Sequence, residues 1–99
     1  MRKRAEPSKG ESVNSGVPRF YFHLFNDMTI PDDEGIQLPN AAIALQRAAS
    51  SAREMAAQSV REGRLVLEHR IEVTDESGGC VGIVYFRDVV EVLDRDQSR

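Results

Sequence analysis

Apolar and polar positions along this chain switch between a strand-like period of two and a helical period. The run Arg19-Phe20-Tyr21-Phe22-His23-Leu24-Phe25 predicts a first strand. Alternation puts Phe20, Phe22 and Leu24 on one of its faces and Tyr21, His23 and Phe25 on the other. Both faces are largely apolar, so both need cover. Asn26-Asp27 offers a turn. Met28-Thr29-Ile30 reads as a short return strand stopped by Pro31, which cannot donate to a ladder. Asp32-Asp33-Glu34-Gly35 is a second turn, with Ile36 and Leu38 leading to Asn40, a good helix N-cap.

Ala41 to Glu62 is the clearest element. It contains no Gly or Pro and ends at Gly63, the residue type expected just past a helix. Its apolar stripe is Ala41, Ala44/Leu45, Ala48, Ala52, Met55/Ala56 and Ser59/Val60, which is helical spacing. Those side chains are small, so the helix is expected to lie close to its sheet, with the sheet's aromatics supplying core volume. After a connector anchored by Leu65, Val66 and Leu67, residues His69 to Thr74 alternate as a half-buried strand. Asp75-Glu76-Ser77-Gly78-Gly79 reads as a hairpin turn, and Cys80 to Phe86 as a fourth strand that is apolar on both faces.

The order β-β-α-β-β predicts an α+β fold: a four-stranded sheet with one long helix packed across one face. The strands apolar on both faces, the first and fourth, are expected inside the sheet, with the second and third at its edges. Phe20, Phe22 and Leu24 should meet the helix together with Val81, Ile83 and Tyr85. That leaves Tyr21, His23, Phe25, Val84 and Phe86 as a second apolar face and candidate interface. A monomer seldom leaves such a patch bare. A second copy presenting the same face is the expected cover, because isologous contacts are self-complementary.

Composition adjusts this picture at the ends. Residues 1–17 carry Arg2, Lys3, Arg4 and Lys9 against Glu6 and Glu11 and have almost nothing to bury, so they read as a disordered polar, basic tail. Residues 18–93 make one domain and 94–99 a polar C-terminal tail. Of 13 basic and 16 acidic residues, the part after residue 17 holds 9 and 14, a net of −5. An acidic body is poorly suited to neutralising phosphates. Cys80 is the only cysteine, which fits a reducing, cytoplasmic compartment. No apolar run approaches the roughly 18–20 residues of a membrane span, and the basic start is not followed by the apolar stretch of a secretory signal.

The quoted segments together form a pattern. Pro18-Arg19-Phe20-Tyr21-Phe22-His23 is followed by Asp32-Asp33-Glu34-Gly35-Ile36-Gln37-Leu38-Pro39 and the Ala-rich helix. Arg70-Ile71-Glu72-Val73-Thr74-Asp75-Glu76-Ser77-Gly78 and a late Phe86 complete it. From about Val17 to Val92 this resembles a family of small alphaproteobacterial proteins labelled only as a domain of unknown function. The resemblance implies a small cytoplasmic module and carries over no activity, cofactor or catalytic residue. Members of that family typically begin with Met immediately before Pro-Arg; Val17 stands there in this chain, and Val can be the translation of an alternative start codon.

His23, Asp27, Asp32, Asp33, Glu34 and His69 are the only concentration of candidate metal ligands or acid–base groups. Their spacing matches no zinc, His-x-x-x-His or calcium-loop pattern, so a solvated acidic turn is the simpler reading. His23, as a general base, would need an orienting carboxylate and a nucleophile that the sequence does not name. Tyr21, His23 and Phe25 flanked by Arg19, Arg70 and Arg87 have the composition of a base-stacking platform, without the Gly-flanked aromatics of RNA-recognition strands. Cys80 has no activating neighbour. The expectation is a non-enzymatic protein-interaction module without a cofactor that binds itself or another protein. An antitoxin-like or nucleic-acid-associated regulator is the alternative, and an enzyme with an unrecognised site is the reading held last.

Overall fold

A computed structural model describes residues 16–94. The expected tails lie almost wholly outside the described residues, 1–15 at one end and 95–99 at the other. The elements are β1 (Arg19–Phe25), β2 (Thr29–Ile30), β3 (Ile36–Gln37), α1 (Ala41–Arg61), β4 (Arg70–Thr74), β5 (Cys80–Tyr85) and a 3-10 turn (Phe86–Asp88). The fold is α+β, with one helix packed on an antiparallel sheet. Strand order is β2-β1-β4-β5, and β3 also pairs with β1. The two short strands share one edge of β1: Leu24 and Phe25 pair with Ile30 and Thr29, while Arg19 and Phe20 pair with Gln37 and Ile36.

The helix forms where the alanines and the cap dictate. The Asn40 side chain accepts the Ile43 N–H at 2.9 Å. At the other end Gly63 takes a φ of 100°, which lets its N–H and that of Arg64 reach the carbonyls of Val60 and Ser59, each at 3.0 Å. Ala44, Ala48, Ala52 and Ala56 are buried on one line, spaced by four. Ala41 and Val60, at the two ends of the expected stripe, are exposed instead. The core is that alanine line against Phe20, Ile71, Val73 and Phe86. A helix of 21 residues is about 32 Å long, and a seven-residue strand about 23 Å. Leu65, Val89 and Val90 pack against the core from outside the sheet strands, whereas Val92 and Leu93 remain exposed.

Adding volume to the alanine line should be costly. Ala48→Leu is expected to destabilise by roughly 1–3 kcal/mol through overpacking. Ser50→Leu, on the exposed side of the helix, should stay within about 0.5 kcal/mol. Urea unfolding midpoints compare the two, and equal costs would contradict the phase of the helix.

Two expectations about the sheet are corrected. The third long segment, β4, lies inside the sheet between β1 and β5, and β5 is an edge. An amphipathic strand fits the middle of a two-layer fold because only one face has to be buried. Ile71 and Val73 face the helix, and Arg70, Glu72 and Thr74 line the other side. The second correction concerns the faces of β5. Register runs from Ile71↔Val84 through Val73↔Gly82 to Thr74↔Cys80, leaving Val81 as an extra residue. Gly82, Val84 and Phe86 therefore point toward the helix, while Ile83 and Tyr85 point away. Val81 packs on the core from the bulge.

Candidate functional site

The face of the sheet opposite α1 carries three short rows. Tyr21, His23 and Phe25 come from β1, Arg70, Glu72 and Thr74 from β4, and Ile83 and Tyr85 from β5. Cross-strand partners share a face, so this placement follows from register. The Arg70 guanidinium lies over the Phe25 ring, 4.3 Å from its centroid, and its Nε donates to Glu72 Oε2 at 2.8 Å. Arg87 lies over Tyr85 at 4.9 Å. The aromatic faces are thus covered by guanidinium groups from the same chain. Among the described residues no second helix covers this side.

The turn 32–35 folds over the Tyr21–His23 end of the face. Asp32 N–H donates to His23 Nδ1 at 3.1 Å, and His23 Nε2 lies 3.0 Å from Thr74 Oγ1. A backbone N–H can only donate, so Nδ1 is the acceptor, and in the neutral ring Nε2 carries the hydrogen and donates to Thr74. Nδ1 thus holds the turn to the sheet, and Nε2 ties β1 to Thr74 of β4. The Asp32 carboxylate accepts N–H groups from Phe22 at 3.0 Å, Glu34 at 3.0 Å and Gly35 at 3.1 Å. Burial pushes its pKa up, but the Phe22, Gly35 and Glu34 N–H groups and the nearby His23 together outweigh that and hold it below the usual carboxylate range.

A lowered native pKa makes Asp32 a stabiliser above the ordinary carboxylate pKa, and that contribution disappears as pH falls through the native value. Asp32→Asn is expected to cost about 1 kcal/mol at pH 7, toward the low end for a partly exposed set of charge-assisted bonds. The difference from wild type should shrink below about pH 4. Chemical unfolding at pH 7 and pH 3 checks this, and an undiminished difference at pH 3 would contradict it.

The structure sorts the five expected interface residues into two groups. Tyr21, His23 and Phe25 share the open face. Val84 packs on the core and Phe86 is 2% exposed within it, so neither belongs to the face. Their places are taken by Ile83, 41% exposed, and Tyr85. The signal that finds them is Gly82. A glycine inside a strand marks close approach, and a Cβ there would sit 2.7 Å from Leu45 Cδ2 of the helix. Gly82 faces α1, and Val84 and Phe86 follow it by alternation.

The candidate chemical groups separate as well. Asp33 and Glu34 are exposed on the turn, with Asp32 and His23 engaged as described. Asp27 and His69 meet elsewhere, at the far end of the helix. Among the described residues no three His, Cys, Asp or Glu side chains come close enough together to hold a metal. Cys80 is an exposed thiol at the start of β5.

Where β1, the last turn of α1 and the connector 62–69 converge, they leave a cleft of about 390 Å³. Leu24, Met55 and Phe86 give it an apolar floor, and Asp27, Glu62, Arg64 and His69 are among its polar walls. Arg64 Nη2 lies 2.9 Å from Asp27 Oδ1, and His69 Nε2 lies 3.6 Å from the same oxygen. The His69 ring meets Phe86 edge-on, with centroids 5.5 Å apart. Asp27 and His69 are both acid–base candidates in the sequence, but they are 42 positions apart and no spacing rule joins them.

The family model for a domain of unknown function (DUF6894) matches residues 19–87. No curated protein and no solved structure matches the chain. Among the described residues no helix is long and apolar enough to cross a membrane.

Proposed function

The chain belongs to that family, whose description assigns no activity, and from that premise we propose that it is a cytoplasmic, non-enzymatic interaction module that pairs with a second copy of itself. The observation that carries the reading is the open sheet face. Its middle strand presents Arg70 and Glu72 two residues apart, between Phe25 on one side and Ile83 and Tyr85 on the other. A two-fold axis across β4 sets Arg70 of one copy against Glu72 of the partner subunit and lets the flanking apolar side chains meet. Such a contact is self-complementary. His23, with one nitrogen holding the turn and the other bonded to Thr74 of β4, supports a structural role over a catalytic one. The Arg70 and Arg87 groups lying over the aromatic rings disfavour base stacking. The lone exposed Cys80 suits a reducing compartment.

Three strands of about six residues give a face of roughly 300 Å² in projection, so the pairing is weak and micromolar. Sedimentation equilibrium of the full chain at tens to hundreds of micromolar is expected to show mass rising from the 11.1 kDa monomer toward twice that value. Ile83→Glu should abolish the rise. Arg70→Glu should do the same, and the exchange Arg70→Glu with Glu72→Arg should restore it. A wild-type chain that stays monomeric across the range overturns the proposal.

A further inference from the structure

The cleft at the end of the helix is independent of the open face. We infer that it binds a small organic cation with an apolar body. Its volume of about 390 Å³ falls in the range of small-molecule sites, roughly 300–1,000 Å³. The floor of Leu24, Met55 and Phe86 suits a hydrocarbon or ring.

The electrostatics of the walls set the charge of the ligand. Asp27 and Glu62 contribute two carboxylates, and Arg64 is the one guanidinium. Arg64 is already engaged with Asp27 at 2.9 Å. Glu62 accepts a neutral amide hydrogen bond from Gln58 at 3.0 Å, and among the described residues no cation pairs with it. Gln58, Ser59 and Glu62 also place the C-terminal end of α1 at the cleft wall. Helix C-termini carry partial negative charge and favour cations. The remaining wall groups are Asn26, a neutral amide, and His69, which turns its Nε2 toward Asp27 at 3.6 Å; neither adds negative charge. With Arg64 neutralising Asp27, the site keeps one unbalanced carboxylate above an apolar floor. An ammonium on a short hydrophobic stem satisfies both features, and an anion satisfies only the floor.

Paired probes with the same body and opposite charge test this on the full chain. Phenethylamine, protonated at pH 7, is titrated while amide resonances are followed, and 3-phenylpropionate serves as its counterpart. Saturable shifts confined to residues 24–27, 55, 58–64, 69 and 86 are expected with the amine at millimolar concentration, and none there with the carboxylate. Glu62→Gln should weaken the amine about two- to fivefold, the effect of one exposed charge contact. Glu54→Gln, on the exposed side of the helix, should leave it unchanged. Asp27→Asn releases Arg64 and should shift preference toward 3-phenylpropionate. Equal response to both probes marks a merely greasy hole and overturns the assignment. Tighter binding of the carboxylate by the wild type, or no saturable shift with the amine, overturns it too.

Discussion

Phe86→Ala is expected to destabilise the protein by about 3–5 kcal/mol, as large aromatic truncations in cores do. Phe86 is 2% exposed and is, among the described residues, the largest fully buried side chain. It sits where the edge strand turns into the 3-10 segment, and its N–H donates to the His69 carbonyl at 2.8 Å. Its ring meets the alanine line of the helix and the edge of the His69 ring, 5.5 Å away. The alanines cannot grow into the space it leaves, so the cavity stays open. A domain of this size has a total stability of roughly 5–15 kcal/mol, so this one change removes a large share. Tyr85→Ala, one residue earlier on the open face, should cost far less. Urea unfolding of the two variants is the comparison, and similar losses would restore the strand parity first expected from the sequence.

That pair also shows where sequence reasoning stops. The first strand was legible because its two faces differ in context: Phe20, with Phe22 and Leu24, reaches the core, and Tyr21, His23 and Phe25 are opposite. The helix was legible from Asn40, Gly63 and the spacing of Ala44, Ala48, Ala52 and Ala56. The hairpin was legible from its turn. Asp75 accepts the Ser77 hydroxyl at 2.7 Å and the Ser77 and Gly79 N–H groups at 2.9 Å. The Ser77 hydroxyl first, then the Gly79 N–H, hold the Asp75 carboxyl below its ordinary pKa.

The faces of β5 were not legible from alternation, since Val81, Ile83 and Tyr85 look as suited to a core as Val84 and Phe86. A bulge shifts the count by one, and bulges leave little trace beyond a glycine. Strand order departs from expectation at one pair of positions. β1, apolar on both faces, lies inside the sheet as expected, with the 32–35 turn over the Tyr21–His23 end of its second face, but β5, equally apolar, is an edge whose second face lies open. The consequence reaches function. With β4 in the middle, the open face has an Arg70–Glu72 pair at its centre where a continuous apolar patch was expected. The cleft was beyond reach because β1, α1 and the 62–69 connector meet there only after folding.

Gly35→Ala is expected to cost roughly 2–4 kcal/mol, because two penalties coincide at one position. Gly35 has a φ of +67°, where an L side chain is disfavoured by about 1–2 kcal/mol. A Cβ there would also lie 2.8 Å from the Phe20 carbonyl oxygen, 2.8 Å from the Tyr21 ring and 2.9 Å from Arg19 Cγ. The Tyr21 ring and the Arg19 stem can shift, but the Phe20 carbonyl belongs to the strand backbone and cannot move without disturbing the pairing of Phe20 with Ile36. Gly78→Ala isolates the first penalty. Gly78 has a φ of +87° with nothing within 4 Å of the added carbon, so only the conformational cost of about 1–2 kcal/mol applies. If the two variants unfold at the same urea concentration, the crowding at Gly35 is relieved by movements this packing does not allow for. If they differ as expected, the damage at Gly35 is local to the turn. Asp32 and its bonds to Phe22 and His23 would loosen, the Tyr21–His23 end of the open face would lose its cover, and the helix side of the core would stay intact.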